Sequence, residues 1–168
     1  MIRKMQIGDS RSYQRVITCD DIKKFGELTG DMNLAHFDED YCSKTIFKTP
    51  IVHGMFIGCL FSKIFGMEYP GEGTIYCGQS LKFLKPVYPG MQLTVKITVK
   101  EIILEKNRVI FTTEIFNNEG ECMLTGEALM MPRKETTDEK RAHENTISNH
   151  DQGRKPNHDR GVPDVRNT

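Results

Sequence analysis

Hydrophobic positions change their spacing along the chain, and each spacing predicts a different element. Ile22, Phe25 and Leu28 recur every three residues. They follow Thr18, a candidate N-cap with Asp21 at the capping-box position, and precede Gly30, a suitable helix stop. This predicts a short helix over 19–29, preceded by a strand at about 10–17 carrying Tyr13, Val16 and Ile17. Residues 31–37 read as a loop, and 39–43 as one further helical turn. From Ile51 to Phe65 the sequence is IVHGMFIGCLFSKIF, apolar on every side except His53, Ser62 and Lys63. Thr49-Pro50 supplies an N-cap and a first-turn proline for it. A helix apolar all round is expected to be enclosed by protein, and about fifteen residues are too few to span a bilayer.

After a Gly- and Pro-rich link the period becomes two. Thr74 to Leu84 is one predicted strand. Leu93, Val95, Ile97 and Val99 alternate with polar residues, as do Val109, Phe111 and Ile115, and Glu121 to Met131 forms the last strand. Lys106-Asn107 and Asn117-Asn-Glu-Gly120 supply the turns. Strand, helix, loop, apolar helix and four antiparallel strands make an α+β chain. One face of such a sheet needs cover, and the apolar helix is the element able to provide it. The predicted architecture is a curved antiparallel sheet wrapped around a long central helix, the hot-dog fold.

Composition divides the chain in two. Residues 1–132 hold 59 of the 63 hydrophobic residues, a normal globular share, whereas 133–168 contain Ala142, Ile147, Val162 and Val165 against 15 charges. The first segment is expected to be the folded domain and the second a disordered polar tail. Balanced charge, 23 basic against 23 acidic residues, argues against a nucleic-acid binder. No apolar run reaches membrane-spanning length, and the first residues resemble neither a secretory signal nor a transit peptide. Five scattered cysteines without a C-x-x-C pair suggest neither a disulfide framework nor a zinc site, so the cytoplasm is the expected compartment.

Candidate chemistry gathers in two places. Asp31, Asn33 and His36 fall within six residues just past the Gly30 stop. A carboxylate and an imidazole able to meet at one water suit general acid–base work, although an Asx turn with an exposed histidine has the same spacing. His36-x-Asp38 has no third residue at metal-ligand spacing, so no metal is expected. His53-Gly54 opens the apolar helix, where free N–H groups could form an oxyanion hole and glycine admits an oxygen close to the backbone. Close packing against the sheet would equally call for glycine there. Ser62 lies about two turns on, near the same helix face, unless its hydroxyl bonds back to a helix carbonyl.

The strings FGELTGDMNLAH and TPIVHGMFIGCLFS together resemble the R-specific enoyl-CoA hydratase family, the MaoC-like hydratases. Phe25, Gly30, Asp31, Asn33, His36, His53 and Gly54 fall in register with the family's G-D-x-N-P-aliphatic-H and V-H-G motifs. Gln79 to Phe83 with Lys85-Pro86-Val87-Tyr88-Pro89-Gly90 extends the resemblance over about residues 5–131. Leu34 stands where the family has proline, Ala35 replaces a larger aliphatic residue, and Met91 stands where the family has aspartate. Without the proline the loop carrying His36 is less constrained. The resemblance implies reversible syn hydration of a trans-2-enoyl thioester to an R-3-hydroxyacyl thioester. Asp31 and His36 would share the catalytic water, Asn33 would orient them and Ser62 and His53 would support them. The Gly54 N–H would bind the thioester oxygen. It further implies no cofactor beyond the CoA or acyl carrier protein of the substrate, and a homodimer or higher homo-oligomer. A hot-dog thioesterase or acyl-carrier-protein dehydratase is disfavoured because no carboxylate occurs between Pro50 and Gly66. A non-catalytic acyl-CoA-binding module is disfavoured by the pairing of Asp31 with His36.

Overall fold

A computed structural model describes residues 2–134. The polar tail predicted for 133–168 falls outside the described residues from 135 on. Helix α1 spans Cys19–Thr29, α2 Glu39–Ser43, α3 Gly54–Cys59 and α4 Phe61–Lys63, the last continued by a π-turn at Ile64–Glu68. Strands β1 (Ser10–Val16), β2 (Ile75–Phe83), β3 (Gln92–Ile103), β4 (Arg108–Phe116) and β5 (Cys122–Met131) form one antiparallel sheet in the order β1-β3-β4-β5-β2.

Local chemistry sets these boundaries. Thr18 Oγ1 accepts the Asp21 N–H while the Asp21 carboxylate accepts the Thr18 N–H, closing the predicted capping box. Gly30 ends α1 in the left-handed region at φ 78°, where an L side chain is strained. Leu28 departs from the predicted apolar face and is 85% exposed. Three-residue steps lag the helical turn by about 60° each, so two of them carry a side chain from the core face to solvent. The buried row is Ile22 with Gly26.

The alternation in β3 and β4 is realised without a slip of face. Leu93, Val95, Ile97, Val99, Val109, Phe111, Thr113 and Ile115 are all buried. All of these but the polar Thr113 join Ile57, Phe61, Ile64 and Phe65 of the helical segment in one core. Each large apolar side chain removed from water there contributes roughly 1.5–3 kcal/mol. Bulges in β2 at Tyr76–Gly78 and in β3 at Val99–Glu101 bend the sheet about the helix. Gly126 lets β2 lie against β5, because a Cβ there would run into the Ser80 carbonyl. The outcome is the predicted hot-dog arrangement.

Two expectations about the central helix are corrected. It begins at Gly54 and not at Pro50, because the Ile51 N–H donates to Ala35 O and the Val52 N–H to Val87 O. These long-range bonds hold the Pro50–His53 stretch out of the helix and pin it to the Asp31–Phe37 loop. The helix is also not enclosed on every side within this chain: Met55 is 60% exposed, and Cys59, Ser62 and Lys63 face solvent.

Candidate active site

Four segments meet at one point: the end of α1, the loop after it, the Pro50–His53 stretch and the first turn of α3. Past Gly30 the chain makes a short 3-10 turn, Leu34–His36, capped by Asn33, whose Oδ1 accepts the Ala35 N–H at 2.9 Å. The Asn33 N–H lies 3.3 Å from Asp31 Oδ1. Asn33 thus shapes the turn with its side chain and steers the carboxylate with its backbone. Asp31 is exposed, His36 half-buried and His53 buried. Each of the three offers an atom within 4.8 Å of the others.

The histidine tautomers follow from their partners. His36 Nδ1 is 2.8 Å from Ile51 O, and His53 Nε2 is 2.9 Å from Asp31 O. A carbonyl oxygen can only accept, so each of these nitrogens carries a hydrogen. In the neutral tautomer with hydrogen on Nδ1, His36 Nε2 holds the lone pair. His53 Nδ1 is buried without a partner among the described residues.

Aromatic rings hold this pair in place. His36 stacks on His53 with centroids 3.7 Å apart; Phe25 and Phe37 pack on His53 at 5.0 and 5.7 Å, and Phe25 stacks on Phe56. Gly26 makes room for Phe37, whose Cζ would lie 2.7 Å from an added Cβ. From α2, the fully buried Cys42 points its sulfur at Ala35 O (3.4 Å) and Leu34 O (3.7 Å). Burial pushes the Cys42 thiol up, keeping it protonated and a donor.

The structure therefore brings together Asp31, Asn33, His36 and His53. Gly54 stands next to His53 as the first residue of α3. Its N–H belongs to the first helical turn, where no intrahelical acceptor exists, and His53 supplies no side-chain cap. Phe83 occupies the space on the Cα side, with ring carbons 3.1–3.2 Å from an added Cβ, so close packing alone already calls for glycine. Ser62 is exposed on α4, and its hydroxyl makes no hydrogen bond among the described residues. The sequence reading missed Cys42, the Ile51 carbonyl and the packing of Phe37 on His53. A glycine in the middle of α1 was the one available signal for Phe37, since Gly26 costs about 1 kcal/mol against alanine and needs a reason.

The profile of the MaoC-like domain matches residues 4–118. This chain belongs to the MaoC-like domain family. An R-specific enoyl-CoA hydratase of Rhodospirillum rubrum is 41% identical over 124 residues, 74% of this chain and 85% of that protein. Its counterpart in Aeromonas caviae is 34% identical over 128 residues, 76% and 96% of the two chains. An unliganded R-hydratase from Pseudomonas aeruginosa superposes with a TM-score of 0.74 at 39% identity, covering 80% of this chain and 86% of its own. In this MaoC-like domain the matched region contains every residue of the cluster.

Proposed function

We propose that this MaoC-like domain is an R-specific enoyl-CoA hydratase, adding water reversibly and on one face to a trans-2-enoyl thioester. The observation that carries the reading is the clustering of the Asp31 carboxylate with the His36 imidazole within 4.8 Å, on a chain whose relatives are named R-specific enoyl-CoA hydratases.

Asp31 and His36 Nε2 hold a water from two sides. Its oxygen adds to C3 as the pair takes one of its protons, and the pair supplies one proton to C2 on the same face. The two groups thus end each turnover as they began. Charge that develops on the thioester oxygen is met by the Gly54 N–H at the positive end of α3, where it helps the transition state more than the substrate. Asn33 and His53 orient the pair. This chemistry adds the elements of water with no change in overall oxidation level and calls for no metal or redox group; CoA arrives as part of the substrate.

The working unit in this reading is a homodimer. Strand β2 is an edge strand with Ile75, Tyr76 and Phe83 exposed, and Met55 is exposed on the helix that packs against it. An unprotected edge of this kind is a surface for strand pairing. We place the protein in the cytoplasm, where free thiols such as its five cysteines are the rule. No helix of the described residues is long and apolar enough to cross a membrane.

Incubation with crotonyl-CoA tests the activity by loss of the enoyl-thioester absorbance. The product should then be oxidised by an R-specific and not an S-specific 3-hydroxyacyl-CoA dehydrogenase. Binding without turnover would leave an acyl-CoA-binding module, and release of free CoA a thioesterase.

A further inference from the structure

We propose that Cys42 is a positioning residue for His36, its buried thiol fastening the 3-10 turn that carries the imidazole. The inference rests on the hydratase reading for its kinetic consequence but on geometry for its substance.

Apart from the His36 ring and the Asn33 cap, the Leu34–His36 turn has little side-chain anchorage. Leu34 is 50% exposed and Ala35, half-buried, offers only a methyl group. What fixes the turn is its carbonyls. Ala35 O accepts the Ile51 N–H at 3.0 Å and faces Cys42 Sγ at 3.4 Å, while Leu34 O accepts the Phe37 and Asp38 N–H groups and lies 3.7 Å from the same sulfur. Ile51, in turn, gives its own carbonyl to His36 Nδ1. A short relay therefore runs from Cys42 through Ala35 O and Ile51 to the catalytic ring. Cys42 itself does not drift: it is fully buried and sits in α2, whose Asp38 cap accepts the Tyr41 N–H at 2.7 Å.

A proline would restrain the same turn in another way. Leu34 is its first position, where the N–H has no partner within the turn. Asn33 has φ −59° and ψ 133°, the extended conformation that a residue before proline adopts. Leu34→Pro is thus compatible with the backbone and should fix the turn independently of the thiol.

The test compares Cys42→Ala, Cys42→Ser, Leu34→Pro and the Cys42→Ala/Leu34→Pro double variant. Cys42→Ala should lower kcat for crotonyl-CoA about three- to tenfold with KM little changed, because a small misplacement of the base acts on the chemical step. Cys42→Ser should recover most of the loss, and Leu34→Pro should recover it in the double variant. Equal kcat in Cys42→Ala and wild type would overturn the proposal. So would a loss that neither serine nor Leu34→Pro repairs, which would make Cys42 a packing residue. The His36 ring nitrogens, read by 15N NMR and assigned with His36→Asn, give a readout independent of turnover. Wild type should show a single Nδ1–H tautomer, and Cys42→Ala a mixed or broadened one. If wild type fails to hydrate crotonyl-CoA while the tautomer still responds to Cys42→Ala, the hydratase reading falls and the positioning role stands. An unchanged tautomer overturns the positioning role itself.

Discussion

His36 and His53 lie face to face, ring centroids 3.7 Å apart and planes inclined by 27°, and each gives its N–H to the backbone carbonyl of another segment. His36 ties the loop after α1 to Ile51, while His53 ties the start of α3 back to Asp31. The two reacting groups are consequently set by one cross-linked unit, in which a fault in either ring is felt by both.

Removing the inner ring tests that coupling. His53→Leu leaves the Asp31 carbonyl without its buried donor, a loss of about 1–3 kcal/mol in a urea melt. It also frees the Asp31 backbone, so kcat for crotonyl-CoA should fall at least about tenfold in a variant that remains folded. A His53→Leu protein with wild-type kcat would show that the cross-link is structural decoration.

Gly26→Ala separates helix stability from site geometry. Alanine improves the propensity of α1 by about 1 kcal/mol, yet its Cβ would meet Phe37 Cζ at 2.7 Å. Overpacking of this kind costs about 1–3 kcal/mol, so the net change in thermal midpoint should be modest. Activity should drop further than stability, because Phe37 packs on His53. Turnover unchanged at full occupancy would mean that Phe37 moves without disturbing the histidines.

The N-terminal cap of α1 makes a pH-dependent contribution. The Thr18 N–H donated to the Asp21 carboxylate is the main cause holding that group below its usual 3.8; burial opposes it, and the Thr18 hydroxyl, Arg15 and Lys24 assist. The folded state therefore prefers the ionised form more than the unfolded state does. This stability is present above the unfolded value and is lost as pH falls through the folded one. Thr18→Ala should cost about 1 kcal/mol near neutrality. Asp21→Asn should be less stable than wild type at neutral pH, with the gap closing below about pH 4 in denaturant titrations. A gap independent of pH would contradict the assignment.

Much of this was legible because it is local. The α1 cap, the Gly30 stop and the two-residue period of β3 and β4 are written within a few residues of where they act. The grouping of Asp31, Asn33 and His36 was equally visible, since loop residues close in sequence are close in space. The start of the central helix was not. Thr49-Pro50 is sound cap chemistry, but Ala35 O and Val87 O compete for the N–H groups it would have organised. Leu28 matched a three-residue spacing that a helix cannot keep on one face. Cys42 and Phe37 reach the site through α2 and through the gap left by Gly26; the Cys42 contact has no sequence signature, and the Phe37 contact is marked only by Gly26 itself.

The central claim is that Asp31 and His36 perform the hydration. Initial rates with crotonyl-CoA for wild type, Asp31→Asn and His36→Ala, each shown to be folded by circular dichroism, test it most directly. The account predicts that wild type turns over and that each variant loses at least about 10²-fold in kcat, the scale of a missing acid–base group. A folded Asp31→Asn or His36→Ala protein hydrating crotonyl-CoA at the wild-type rate would contradict it.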